Sequence, residues 1–365
     1  MNFDLSEEQG LLRDLIERFA ADRYDAVKRL SYLRQPGGYC PQGWAMLAEM
    51  GVLAFPFGEA LGGLGGGGVE LITIMEAIGR AVAVEPLLPV IVMAGGILDK
   101  AGTEPQRERW LRPVIAGETI AAFAHSEHGA RFDQSHVATR AEPAGGNWIV
   151  NGAKQMVPAA GSADIFAVSA TKPDGAVGLF LVPADAPGLS VRGYHMVDGS
   201  VAGDLVLSGV SAEPMEGGQA AIDAVLDEAR LAICGELLGL MTMMFDATLD
   251  YLKTRRQFGQ PIGSFQAIQH RMADNYGLLE LSRSQLYRAA AMTADDPARE
   301  SAIAGAKAYI GGSAMALGED AVQLHGGIGT TEELMVGQAF KRVLLLASLL
   351  GDSDWEMRRY LAMMG

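Results

Sequence analysis

The chain has 365 residues, 49% of them apolar, 18 methionines and a net charge of −15; this composition excludes a disordered chain and leaves room for two or three domains with a large core. The acidic balance argues against nucleic acid and anionic membranes as partners, and two cysteines, Cys40 and Cys234, make neither a disulfide framework nor a zinc spacing. Asp4 and Glu7 stand where a targeting segment would carry basic residues, and no apolar stretch of about 18 residues runs without a charge or glycine break, so a soluble, cytoplasmic protein is expected.

Residues 1–117 read as helices. Ser6 and Gln9 have capping-box spacing, and Leu11, Leu12, Leu15, Ile16 and Phe19 follow at helical intervals. Gly62–Gly68 is a glycine-rich loop without the Lys-Ser/Thr ending of a phosphate loop, so it is expected only to turn. Leu71–Val82 and Leu87–Leu98 resume the helical pattern. Residues 118–216 change to short β-rich runs, Trp148–Val150, Ile165–Val168 and Val177–Val182, with Asn151-Gly152 and Pro173-Asp174-Gly175 as hairpin and turn signals. A small antiparallel barrel or sandwich is expected there. Helical periodicity returns over 217–365 on the scale of a four-helix bundle.

Two motifs stand out in this last region. Arg255-Arg256-Gln257-Phe258-Gly259-Gln260-Pro261-Ile262-Gly263-Ser264-Phe265-Gln266 and Gln323-Leu324-His325-Gly326-Gly327-Ile328-Gly329 combine an arginine with paired glycines. That combination suits a dinucleotide pyrophosphate: a guanidinium pairs bidentately with phosphate, and glycine lets backbone N–H groups come close. His125, His128 and His136 cluster in sequence, but an i, i+3 pair in a loop beside Arg131 is no zinc spacing, and no metal is expected.

With the opening Phe3-Asp4-Leu5-Ser6-Glu7-Glu8-Gln9 and the segments Leu61-Gly62-Gly63-Leu64-Gly65 and Met75-Glu76, these motifs resemble the acyl-CoA dehydrogenase family over nearly the whole chain. The chain looks most similar to the small subunits of pimeloyl-CoA dehydrogenases and to the paired-subunit dehydrogenases of bacterial steroid side-chain degradation. The resemblance implies an α+β fold: an N-terminal helical domain, a middle antiparallel β domain and a C-terminal four-helix bundle. It also implies FAD, an acyl-CoA substrate and electron-transfer flavoprotein as electron acceptor. In the family a carboxylate takes a proton beside the thioester carbonyl while hydride passes to the flavin, and each FAD is shared across a subunit interface. On that pattern Arg255 would pair with the pyrophosphate, Gln257 and Phe258 would line the same region, and Ile262, Phe265 and Gln266 would pack around the adenosine. Gln323, Gly326 and Gly327 would receive the ADP portion.

The flavin-ring half departs from the pattern. Ser126-Glu127-His128-Gly129-Ala130-Arg131-Phe132-Asp133 carries Arg131 and Phe132 where the family has a small pair, and Met156, Val157, Pro158 and Ala159 replace its aromatic, Ile/Val, Thr/Ser and Asn. Pro158 offers no hydroxyl and no N–H. Both customary base positions fall on residues that cannot accept a proton, Leu350 and Ala229. Glu236, two helical turns beyond Ala229 in an apolar run, is a candidate base; its structural alternative is a carboxylate paired with an arginine across the bundle. Arg230 is a candidate for orienting a carboxylate or binding CoA, Glu228 is read as solvated or facing a neighbouring subunit, and Asp352 as a cofactor contact or helix cap. The expected role is a subunit that completes a partner's FAD site in a heterotetramer. The alternatives are a self-sufficient homomer, pairing with itself and using Glu236, and a non-catalytic acyl-CoA-binding or scaffold protein.

Overall fold

The computed structural model describes residues 5–364; Phe3 and Asp4 of the opening motif lie outside them. The chain forms two compact, discontinuous units. One gathers the chain up to Ser31, Gly67–Ala83 and everything from Arg230; the other holds Tyr32–Gly66 and Val84–Ala229.

In the first unit, α1 (Glu7–Ala21) starts at the expected capping box, with Ser6 and Gln9 bonding reciprocally. Ile16, Phe19 and Ala20 are buried, whereas Leu11 faces solvent. Helix α2 (Ala26–Leu33) begins in this unit, α3 (Pro41–Glu49) lies in the other, and α4 (Gly68–Ala81) returns to the first. Helix α4 crosses a long later helix, Gln219–Thr254, at backbone contact: a Cβ on Gly79 would lie 2.1 Å from the Glu236 carbonyl, and one on Gly239 2.0 Å from that of Glu76. Only glycine permits that approach, and it fixes where Glu236 sits along α4.

In the second unit, Gly62–Gly66 is an ordered turn, with Gly65 N–H bonding Phe57 O at 2.8 Å. The expected helix over Leu87–Leu98 is π-helical from Leu87 to Gly95, then continues as α5 (Gly96–Ala101). Two short helices, α6 (Glu104–Gln106) and α7 (Arg112–Ile115), precede the sheet.

Seven strands follow: β1 (Ala121–Ala124), β2 (Arg140–Ala144), β3 (Asn147–Pro158), β4 (Ile165–Thr171), β5 (Val177–Pro183), β6 (Leu189–His195) and β7 (Val201–Pro214). β4, β2, β3, β7 and β5 close into a ring, with β1 joined to β4 and β6 to β7. Pairing is antiparallel apart from β1 and β2, which run parallel to β4. Phe166, Val168, Phe180, Val150 and Leu205 fill the interior. Pro173-Asp174-Gly175 turns as expected, but Asn151-Gly152 does not. β3 runs straight through it with a bulge, Asn151 Oδ1 accepts the Gly209 N–H at 2.7 Å, and the β2–β3 hairpin turns instead at Gly145-Gly146. The reason is steric: a Cβ at Gly152 would lie 2.5 Å from Thr139 Oγ1, so this glycine serves close packing.

The remaining helices are α8 (Gln219–Thr254), α9 (Gln266–Ala290), α10 (Arg299–His325), α11 (Met335–Ser348) and α12 (Ser353–Met364); α10 packs against α9, α11 and α12. Among the described residues α8 alone is long and apolar enough to cross a membrane, and most of its apolar stretch is buried in the protein.

Candidate active site and cofactor half-sites

The two C-terminal motifs meet because their anchors share one small core. Leu252 near the end of α8, Met272 in α9 and Leu324 near the end of α10 are buried together, with Ile262 packed against them. The Tyr251 ring stacks on His325 at 4.5 Å, and His325 Nδ1 reaches the Ala321 carbonyl at 2.8 Å, so His325 is a fastening residue. Arg255 therefore follows a fixed helix end. It is exposed, and its guanidinium has no ion pair or hydrogen bond among the described residues. Next comes a two-residue hairpin between β8 (Arg256–Gln257) and β9 (Gln260–Pro261), with Phe258 and Gly259 at its tip.

Phe258 and Gly259 have φ of 51° and 83°, the signature of a type I′ turn, which a phenylalanine enters only at a strain cost. Phe258 is 92% exposed, touching Phe265 edge-on with centroids 6.3 Å apart. Gln257, Gln266 and Gln323 are exposed, and Ile262 and Phe265 are half-buried. Gly326 and Gly327, just past α10, are exposed with open space where a Cβ would stand. An unpaired guanidinium, bare backbone at two glycines and an uncovered aromatic ring form a surface suited to a pyrophosphate and a flat heterocycle.

The segments at the family's flavin-ring position lie in the other unit, where Gln155 N–H bonds Ser126 O at 2.8 Å and so joins them. Arg131 is exposed with φ of 50°, its guanidinium 5.6 Å from the Phe132 ring centroid. Met156 is part-exposed with φ of 54°, and Pro158 pairs with Ala202 in the β3–β7 ladder. Positions 131 and 132 carry large side chains, and Pro158 offers neither a hydroxyl nor an N–H, so this surface does not fit an isoalloxazine ring.

Behind it runs a buried polar network that inspection of the sequence did not single out. Lys154 Nζ donates to Glu127 Oε1 at 2.7 Å, to Ser169 Oγ at 2.9 Å and to the His125 carbonyl at 3.1 Å. His125 Nδ1 lies 2.9 Å from Ser169 Oγ. Burial pushes the Lys154 ammonium down to about 8, against the pull of Glu127, and burial together with the Lys154 charge pushes the His125 imidazole down to about 4.

The base candidates are also placed. Ala229 is buried, and Leu350 has φ of 62° in the α11–α12 connection. Glu236 is buried and held by an arginine fork, with Arg342 Nε 2.7 Å from Oε1 and Nη2 3.0 Å from Oε2. This is the structural pairing weighed as its alternative. Arg230, the substrate candidate, is buried and committed to Glu356 and to the Leu350 carbonyl, so it is not presented to solvent. Glu228 is half-buried and Asp352 caps α12, accepting the Trp355 N–H at 2.8 Å. Beside Arg230 the buried Lys307 ammonium, pushed down to about 8 by burial, donates to the Gly351 carbonyl at 2.7 Å. Among the described residues no group of His, Cys, Asp and Glu could hold a metal ion.

Sequence profiles of the acyl-CoA dehydrogenase N-terminal, middle and C-terminal domains match residues 6–118, 122–210 and 216–364. A probable acyl-CoA dehydrogenase of Mycobacterium tuberculosis, FadE25, is 30% identical over 350 residues, 92% of this chain and 89% of that protein. Among solved structures, the steroid ACAD Tcur3481-Tcur3483 is 33% identical with a TM-score of 0.91, covering 98% of each chain. The ChsE4-ChsE5 complex of Mycobacterium tuberculosis is 26% identical with a TM-score of 0.91, covering 100% of this chain and 99% of that one. With helical N- and C-terminal domains around a β middle domain, this chain belongs to the acyl-CoA dehydrogenase family, whose members are FAD-dependent oxidoreductases.

Proposed function

We propose that this chain is a subunit of an FAD-dependent acyl-CoA dehydrogenase, working beside a second, related subunit whose FAD site it completes. The reaction of the assembly is α,β-dehydrogenation of an acyl-CoA thioester, with electron-transfer flavoprotein as acceptor, and the domain divisions at 117/118 and 216/217 belong to the same reading. The observation that carries it is Phe258, 92% exposed on a strained turn beside the unpaired Arg255. An aromatic ring held outward at that cost calls for cover by a ligand or another chain. The surface in the other unit, with Arg131, Phe132 and Pro158, lacks what a flavin ring needs. Two of the similar solved structures are named as pairs, Tcur3481-Tcur3483 and ChsE4-ChsE5, which supports a heteromer.

In this reading Arg255 pairs with the pyrophosphate, Gln257 and Phe258 line the same region, and Ile262, Phe265 and Gln266 pack around the adenosine. Gln323, Gly326 and Gly327 approach the ADP portion from the next helix end. When bound, FAD supplies the redox chemistry; this chain's residues only hold and orient it. Glu236 stays a structural carboxylate, because the Arg342 fork engages both of its oxygens.

Co-expression with the cognate subunit tests the reading. A cofactor at a shared interface stabilises the assembled state by mass action, so flavin content and melting temperature should both rise. Equal FAD occupancy and melting with and without the partner would sink it, and one FAD per monomer with turnover by this chain alone would establish the homomeric alternative.

A further inference from the structure

Among the described residues six non-glycine positions have left-handed backbone, and three of them, Arg131, Met156 and Ala159, lie in the two segments facing the family's flavin ring, with φ of 50°, 54° and 64°. A residue with a β-carbon is strained in that conformation, and it persists only where the surroundings over-determine it. The surroundings here are two polar anchors. Glu127 accepts the Ala138 N–H at 2.6 Å and the Thr139 N–H at 3.1 Å while paired with Lys154, which pins the loop carrying Arg131 from behind. Asp204 accepts the Met156 N–H at 3.1 Å, the Tyr194 hydroxyl at 2.9 Å and Arg192 Nη2 at 2.8 Å. Ala159 N–H bonds the Val201 carbonyl at 2.9 Å. None of these bonds uses the side chains of Arg131, Phe132 or Pro158, so these anchors stay in place whatever side chains stand at the three positions.

We infer that the flavin-ring side of this chain is closed by three side chains alone, on a backbone still held in a receiving shape. Arg131 and Phe132 fill the space, and Pro158 withholds a donor. Replacing the three reopens a site for an isoalloxazine ring with one phosphate. The inference deepens the reading of this chain as the subunit without its own flavin site.

The test is titration of FMN into the full-length chain, followed by quenching of flavin fluorescence. FMN carries the ring and one phosphate but no adenosine, so its binding does not call on Arg255 or the second motif; a failure here leaves the shared-site reading untouched. The triple variant Arg131→Gly, Phe132→Ser, Pro158→Thr should bind FMN at least about 10-fold more tightly than the wild type. Adding Asp204→Ala should remove that gain by releasing Met156. Unchanged FMN affinity in a triple variant with wild-type melting overturns the inference. So does a gain that survives Asp204→Ala, since the held backbone would then be irrelevant. If the triple variant does not melt cooperatively, Arg131→Gly alone, which suits a φ of 50°, carries the test with an expected gain of about 3-fold and is overturned by none.

Discussion

Arg230 Nε donates to Glu356 Oε1 at 2.6 Å, and neither side chain is more than 1% exposed. The same guanidinium reaches the Leu350 carbonyl at 3.1 Å, so the pair fixes the strained connection between α11 and α12. Two charges in a dry interior stabilise only as a pair: removing one leaves the other desolvated and uncompensated. Glu356→Ala should therefore cost about 3–5 kcal/mol in urea unfolding, whereas Arg230→Met with Glu356→Leu should recover most of it. A loss under about 1 kcal/mol for the single variant would show that the pair does not hold this connection.

Arg255→Ala should lower the FAD affinity of the assembled protein by about 10- to 100-fold, the effect of losing a charge-assisted contact worth roughly 1.5–3 kcal/mol. Because its guanidinium is exposed and unpaired, the melting temperature of the chain alone should not move. Equilibrium dialysis of FAD beside a thermal melt reads both, and unchanged FAD affinity would mean that Arg255 does not meet the pyrophosphate.

Glu236→Gln should leave kcat of the complex within about 3-fold of wild type, since Gln keeps the shape and part of the contact to Arg342. Loss of a general base costs at least about 100-fold. A drop of that size in a folded, FAD-loaded complex would return the active site to this chain.

His125 gives a pH dependence with a definite sign. Burial lowers its imidazole to about 4 in the folded chain, below the ordinary 6.5, so between these values the unfolded chain binds more protons. The contribution is fully present above pH 6.5 and is lost as pH falls toward 4. Unfolding midpoints measured from pH 7.5 to 4.5 should fall more steeply for the wild type than for His125→Gln. Parallel curves would show that the imidazole charges freely in the folded state.

Much of this was legible in the sequence because it is local. The Ser6–Gln9 box spans three residues, and the motif from Arg255 to Gln266 folds on itself into a hairpin and helix start. Pro158 announces a missing N–H wherever it sits. The absence of carboxylates at Ala229 and Leu350 is equally a matter of counting.

What the sequence could not show depends on partners far along the chain. Glu236 meets Arg342 across 106 residues and Arg230 meets Glu356 across 126, so the partner of each charge was decided only when the helices came together. Asn151-Gly152 carries a turn signal, yet β3 continues through it because the approach of Thr139 needs a glycine there. Asp204 and Glu127 gave no signal, since a carboxylate that anchors backbone N–H groups is recognised only by where those groups fall. Residue chemistry and short spacings thus determined the family and marked the two motifs proposed to meet the cofactor, while long-range packing, which sets burial and therefore the cost of every charge, decided which groups are left exposed.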